Sequence, residues 1–206
     1  LGAVTDAKVA IVYDWDNSWG IDYSAGPSIL MNYREEVNHY YAALHKQNIS
    51  CDIISVDEPL EQYDLVIAPI LYMVKEGYDE KIREYVKQGG NFVTTYFSGY
   101  VNDSDLVDGA YPGRLSDILG IWVEESDALP REEENHFVYD GVTYPARILC
   151  DIVRPETAET LSVYEEDFYQ GTTMMTVNSF GMGNAYYIGV SSEDAFYEAF
   201  LKNLCE

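Results

Sequence analysis

Basic residues are scarce. The 206 residues hold 12 Lys and Arg against 36 Asp and Glu, a formal charge of −24. The imbalance runs through the whole chain, with 18 acids against 8 bases up to Arg114 and 18 against 4 after it. Such a field repels phosphate backbones and anionic headgroups, so nucleic acids and membrane surfaces are not expected partners. No apolar run approaches the roughly 20 residues of a membrane-spanning helix. No basic segment followed by an apolar one opens the chain, so nothing points to secretion. Cysteine is sparse too: Cys51, Cys150 and Cys205 form no CxxC pair, which argues against a disulfide framework and a zinc site. A reduced, cytoplasmic setting is expected. The sequons at Asn48 and Asn102 then read as chance. The chain starts Leu1-Gly2-Ala3-Val4 without Met, which reads as an excised piece of a longer protein.

What is present is ordinary in its apolar share, 47% hydrophobic with 23% charged, which suits one globular domain and is too apolar for disorder. Strand and helix patterns alternate through the first 120 residues. Val9 to Tyr13 is a continuous apolar run, as expected of a strand buried on both faces. A Trp/Asp/Gly-rich loop is expected from Trp15 to Pro27, and a helix from about Ile29 to Gln47 with Tyr33, Val37, Tyr40, Tyr41 and Leu44 on one face. Strands follow at 51–56, 65–69 and 92–96, and a helix at 79–88 that ends at Gly89-Gly90. A short helix at 115–119 stops at Gly120. The remainder reads as short strands, with a hairpin signal at Asp140-Gly141 and a turn at Gly181-Met182-Gly183. A last helix spans about Glu193 to Leu204, with Ser191 and Asp194 as a capping box. This predicts an α/β fold: three layers, a mostly parallel sheet with helices on both faces, and an antiparallel extension.

Motifs for chemistry are thin. The turn after the first strand, Asp14-Trp15-Asp16-Asn17-Ser18-Trp19-Gly20, carries acids and indoles where a dinucleotide site needs glycines. Phe97-Ser98-Gly99 lacks the near glycine of a nucleophile elbow, and the three histidines, His39, His45 and His136, offer no evident base. Asp103, Asp105 and Asp108 are misspaced for an EF-hand. No catalytic, cofactor or metal residue is assigned. The surplus is aromatic: 19 tyrosines and 3 tryptophans. Such rings serve core packing, oligomer interfaces or sugar stacking, and all three uses stay open.

The order of several motifs resembles a known family. Val9 to Asp14 with Trp15-Asp16-Asn17-Ser18-Trp19, then Asn38 to Leu44, Tyr63 to Pro69, Gly89-Gly90, Ser98 to Asn102, Tyr111-Pro112-Gly113 and Phe180 to Gly183 are similar to the middle domain of the family 42 glycoside hydrolases, the β-galactosidases. The likeness covers the whole chain, 1–206, as a single domain. It implies a flavodoxin-like, class I glutamine amidotransferase-like fold that serves as the trimerisation domain. Amidotransferases carry a cysteine at the elbow and a His and Glu after a late strand. Here those regions read Phe97-Ser98-Gly99 and Ser191-Ser192-Glu193. The resemblance therefore implies a non-catalytic scaffold that forms a homotrimer, with terminal β-D-galactosides bound and hydrolysed by a barrel domain not in this chain. It also suggests Trp15, Asn17 and Trp19 as an interface or as the rim of a neighbour's sugar pocket, unless the 97–112 loop covers the indoles. Two alternatives remain: a stand-alone amidotransferase-like hydrolase using Ser98, and a galactoside-binding module using Trp15 and Trp19.

Overall fold

The computed structural model describes residues 6–24 and 26–205. In chain order the elements are β1 (Val9–Val12), α1 (Trp15–Tyr23), α2 (Tyr33–Lys46), β2 (Cys51–Ile54), β3 (Leu65–Ala68), β4 (Met73–Val74), α3 (Tyr78–Lys87), β5 (Asn91–Thr95) and β6 (Val101–Asn102). A 3-10 turn then leads into α4 (Ser116–Leu119). The rest is β7 (Ile121–Ala128), β8 (Asn135–Tyr139), β9 (Val142–Ala146), β10 (Leu149–Pro155), β11 (Glu159–Val163), β12 (Thr173–Phe180), β13 (Gly183–Ile188) and α5 (Asp194–Cys205).

The main sheet runs β2-β1-β3-β5-β13-β12-β10-β7, with β11 also on β12. Its first five strands pair in parallel and the others antiparallel. The mixed α/β reading therefore holds. The run Val9 to Val12 is buried throughout because both faces are covered. Val9 and Ile11 join a core with Ile67, Val93 and Ile188, under α2 and α5. Ala10 and Val12 point the other way, into a core with Val66, Phe92 and Tyr187, under α3 and α4. Among the described residues no helix is long and apolar enough to cross a membrane.

Three local expectations change. The segment after β1 is a helix for nine residues, not a loop. Asp14 caps it, its carboxylate accepting from the Asn17 backbone N–H. Helix α2 starts at Tyr33 because Asn32 caps it, accepting from the N–H of Glu35 at 3.2 Å. Ser191 caps nothing in α5, because its hydroxyl donates to Glu36 at 2.8 Å. The hairpin at Asp140-Gly141 forms as expected, with both residues in the left-handed region, and Gly120 closes α4 at φ 64°.

Candidate functional site at the carboxyl edge of the sheet

In an open α/β sheet, ligands gather beyond the carboxyl ends of the parallel strands. Two turns at that edge carry the residues of interest, one after β5 and one after β1.

The turn after β5 is strained. Its left-handed residue is Phe97, at φ 59°, a conformation that costs a non-glycine residue about 1 kcal/mol or more. A nucleophile elbow places its Ser or Cys in such a turn. Here the apex is a phenyl ring, stacked on Tyr72 at 5.2 Å and Tyr100 at 4.8 Å. Ser98 is fully buried, and its oxygen accepts from the N–H of Leu71 at 2.8 Å and the hydroxyl of Thr94 at 2.7 Å. The histidines are engaged elsewhere. His39 meets Asp194 at 2.9 Å, His45 stacks on Tyr41, and His136 faces Glu134 and Glu166. Ser98 has neither the exposure nor the base that a nucleophile requires.

Two buried carboxyl groups pin this turn. Asp151 on β10 accepts from the hydroxyls of Tyr111 and Tyr187, both at 2.6 Å, from Ser126, and from the N–H of Phe97 at 3.3 Å. Glu36 on α2 accepts from Tyr197 at 2.6 Å, Ser191 at 2.8 Å and Tyr96 at 3.1 Å. Burial pushes both carboxyls above their ordinary values, and the surrounding hydroxyls pull them partly back. Glu36 floors a cavity of about 520 Å³ that His39, Arg147, Ser191, Ser192 and Asp194 also line. Its polar groups are already engaged: Ser191 donates to Glu36 and His39 meets Asp194 within the lining, while Ser192 donates to the Pro145 carbonyl and Arg147 to Glu134 behind it.

Both carboxyls could have been singled out from the sequence. Glu36 shares the helical stripe of Tyr33, Val37 and Tyr40, and Asp151 interrupts the apolar run Leu149 to Val153. A charge in a buried register is the informative signal.

The turn after β1 is the reverse case. Asn17 is fully buried and works as a clamp. Its Oδ1 accepts from the N–H of Met73 at 2.7 Å, and its Nδ2 donates to Asp14 at 2.7 Å and to the Met73 carbonyl at 3.3 Å. This ties α1 to β4. Gly20 lets α1 lie directly on Tyr72, whose ring is 2.9 Å from where a Cβ would stand. Trp15 and Trp19 point outward, 59% and 53% exposed, with their rings 6.0 Å apart. The structure thus brings the two indoles together and separates Asn17 from them. The 97–112 loop does not cover the indoles. It contributes Asp103 and Asp105 to a groove of about 580 Å³ that Asp16, Trp19, Tyr23 and Lys75 also line. Among the described residues no group of three or more His, Cys, Asp or Glu is placed to hold a metal.

Known proteins match this chain end to end. The family model described as the β-galactosidase trimerisation domain matches residues 7–206. The β-galactosidase BgaP of Planococcus sp. (strain L4) is 47% identical over 213 residues, covering 100% of this chain and 32% of that protein. BgaB of Geobacillus sp. (strain Y412MC61) is 38% identical over 205 residues, covering 99% and 30%. Among solved structures, the β-galactosidase from Bacillus circulans sp. alkalophilus superposes with a TM-score of 0.95 at 49% identity, over 97% of this chain and 31% of that one. That from Rahnella sp. R3 gives 0.94 at 42% identity, over 97% and 31%. The chain spans about a third of the length of these relatives.

Proposed function

The chain belongs to the β-galactosidase trimerisation-domain family, and on that premise we propose that it is a non-catalytic association domain of a β-galactosidase. The parent forms a homotrimer in the cytoplasm, and its chemistry on terminal β-D-galactosides belongs to a barrel domain outside this chain. The observation that carries the non-catalytic reading is the apex of the β5 turn, where Phe97 stands in place of a nucleophile and Ser98 is buried beneath it. The order of the parallel strands, β2-β1-β3-β5-β13, supports a flavodoxin-like frame of the class I glutamine amidotransferase kind, since numbering those five alone gives 2-1-3-4-5. Trp15 and Trp19 are then the interface or pocket-rim residues of the assembly, with Asn17 holding their helix in place. The test is an assay of the 206-residue chain on a nitrophenyl galactoside and on glutamine. No turnover above a buffer blank is expected on either. Turnover that Ser98→Ala abolishes would overturn the reading in favour of an amidotransferase-like hydrolase.

A further inference from the structure

Three oxygens behind the β5 turn stand closer together than two hydroxyl hydrogens allow. The Oδ2 atom of Asp151 lies 2.6 Å from the Tyr111 hydroxyl oxygen and 2.6 Å from that of Tyr187. Those two hydroxyl oxygens lie 2.7 Å from each other. Each distance is that of an O–H···O hydrogen bond, and each such bond needs a hydrogen of its own. The two tyrosines bring only two. With Asp151 ionised, one edge of the triangle has no hydrogen, and lone pairs face each other at hydrogen-bond distance. A proton on Oδ2 supplies the third. The carboxyl then donates to one hydroxyl, that hydroxyl to the other, and the other back to the carboxyl.

The surroundings favour the same state. Oδ1 accepts from Ser126 on β7, and Oδ2 also accepts from the N–H of Phe97 at 3.3 Å. Tyr164, between β11 and β12, donates to the Asp151 backbone carbonyl at 2.9 Å, and Cys150 precedes Asp151 on β10. None of these groups is a cation. A buried carboxylate facing only neutral donors is costly, and burial pushes this carboxyl above its ordinary value. Asp14 shows the contrast: it is buried too, and Lys75 meets it at 2.8 Å. We infer that Asp151 keeps a proton at neutral pH and closes a three-hydrogen ring with Tyr111 and Tyr187, a proton-dependent fastener for the 97–112 loop. When the proton leaves for water, two hydrogens remain for three contacts. Tyr187 is fully buried on β13, whereas Tyr111 is half-buried on the loop, so Tyr111 gives way. The Tyr111 carbonyl also accepts from the Val123 N–H at 2.9 Å, which joins the loop to β7. The same loop carries Asp103 and Asp105 to the groove beside Trp19. It is fastened at and below neutral pH and loosens as pH rises through the folded value of Asp151.

Infrared spectra of the chain, isotope-labelled at its aspartate carboxyls, read this proton directly. The label separates aspartate from Glu36, and a neutral carboxylic acid absorbs apart from a carboxylate. Wild type at neutral pH should show a neutral aspartic acid band that Asp151→Asn removes. No such band in wild type, or a band that survives in Asp151→Asn, overturns the assignment. Hydrogen exchange of the Phe97 and Val123 amides, corrected for the intrinsic effect of pH, reads the fastener. As the band disappears with rising pH, protection of both should fall about tenfold or more in wild type and hold in Asp151→Asn, whose amide supplies hydrogens at every pH. The wild-type titration needs no variant, so it decides even where Asp151→Asn does not fold. Amides that keep their protection while the band is lost overturn the fastener.

Discussion

Two turns at the same edge of one sheet invert the usual distribution of polar and apolar groups, in opposite senses. After β5 the chain hides charge: Asp151 and Glu36 are buried among tyrosine hydroxyls, and the strained Phe97 donates its N–H to Asp151. After β1 it shows apolar surface: Trp15 and Trp19 stand in solvent while Asn17 is buried beneath. Both carboxyls are held by the fold's own hydroxyls and, for Asp151, by the Phe97 N–H, so the first turn is a keystone. Rings more than half exposed add little to the stability of the fold, so on the proposed reading the second turn serves association. The comparison separates stability from assembly by residue.

The sharpest way to break it is to remove the keystone. Asp151→Ala strands three hydroxyls and the Phe97 N–H, each worth about 1 kcal/mol or more when left unpaired. A loss of about 3–5 kcal/mol in urea unfolding of the chain is expected. A loss below about 1 kcal/mol would show that the network is incidental.

A smaller effect lies in pH. Burial holds the Glu36 and Asp151 carboxyls above their ordinary values, so the fold favours their neutral forms. The stability they contribute is full below the ordinary carboxylate range, about 4, and is lost as pH rises through their folded values. Glu36→Gln with Asp151→Asn, neutral at every pH, should flatten this part of the pH dependence. Melting temperatures of wild type and variant between about pH 4 and 8 should diverge. Parallel curves would place the titration elsewhere in this acidic chain.

The smallest expected effect on stability comes from the indoles of α1. Trp19→Ala should change the unfolding free energy of the chain by less than about 0.5 kcal/mol, as exposed substitutions do. In the parent it should weaken the trimer or raise KM while kcat per subunit holds. Wild-type trimer mass together with wild-type KM would make this helix packing and nothing more.

How much of this was legible in the sequence follows from the same comparison. The parallel sheet was legible because runs such as Val9 to Val12 and Leu65 to Ala68 are buried on both faces and read as continuous apolar stretches. Helix α1 was not. Its aromatic stripe points outward and its buried face is Asn17, Ser18 and a single apolar residue, Ile21, so the segment has the composition of a loop and the rule that apolar faces turn inward has little purchase. Trp15 and Trp19 drew notice as indoles, without the spacing of four that links them to Tyr23. Residue type does not separate Glu35 from Glu36; register does, since Glu36 shares the buried stripe and Glu35 does not. Ser98 drew attention because it precedes Gly99, yet the strained position is one residue earlier, and backbone torsion is not written in residue type.

Hydroxyl-radical footprinting of the full-length parent, concentrated and then diluted until the trimer dissociates, tests the central claim directly. Trp122, 40% exposed on the edge strand β7, is an internal reference of identical chemistry. The account predicts that Trp15 and Trp19 are protected at high concentration and become reactive on dilution, while Trp122 reacts equally in both. Trp15 and Trp19 equally reactive in trimer and monomer would contradict it.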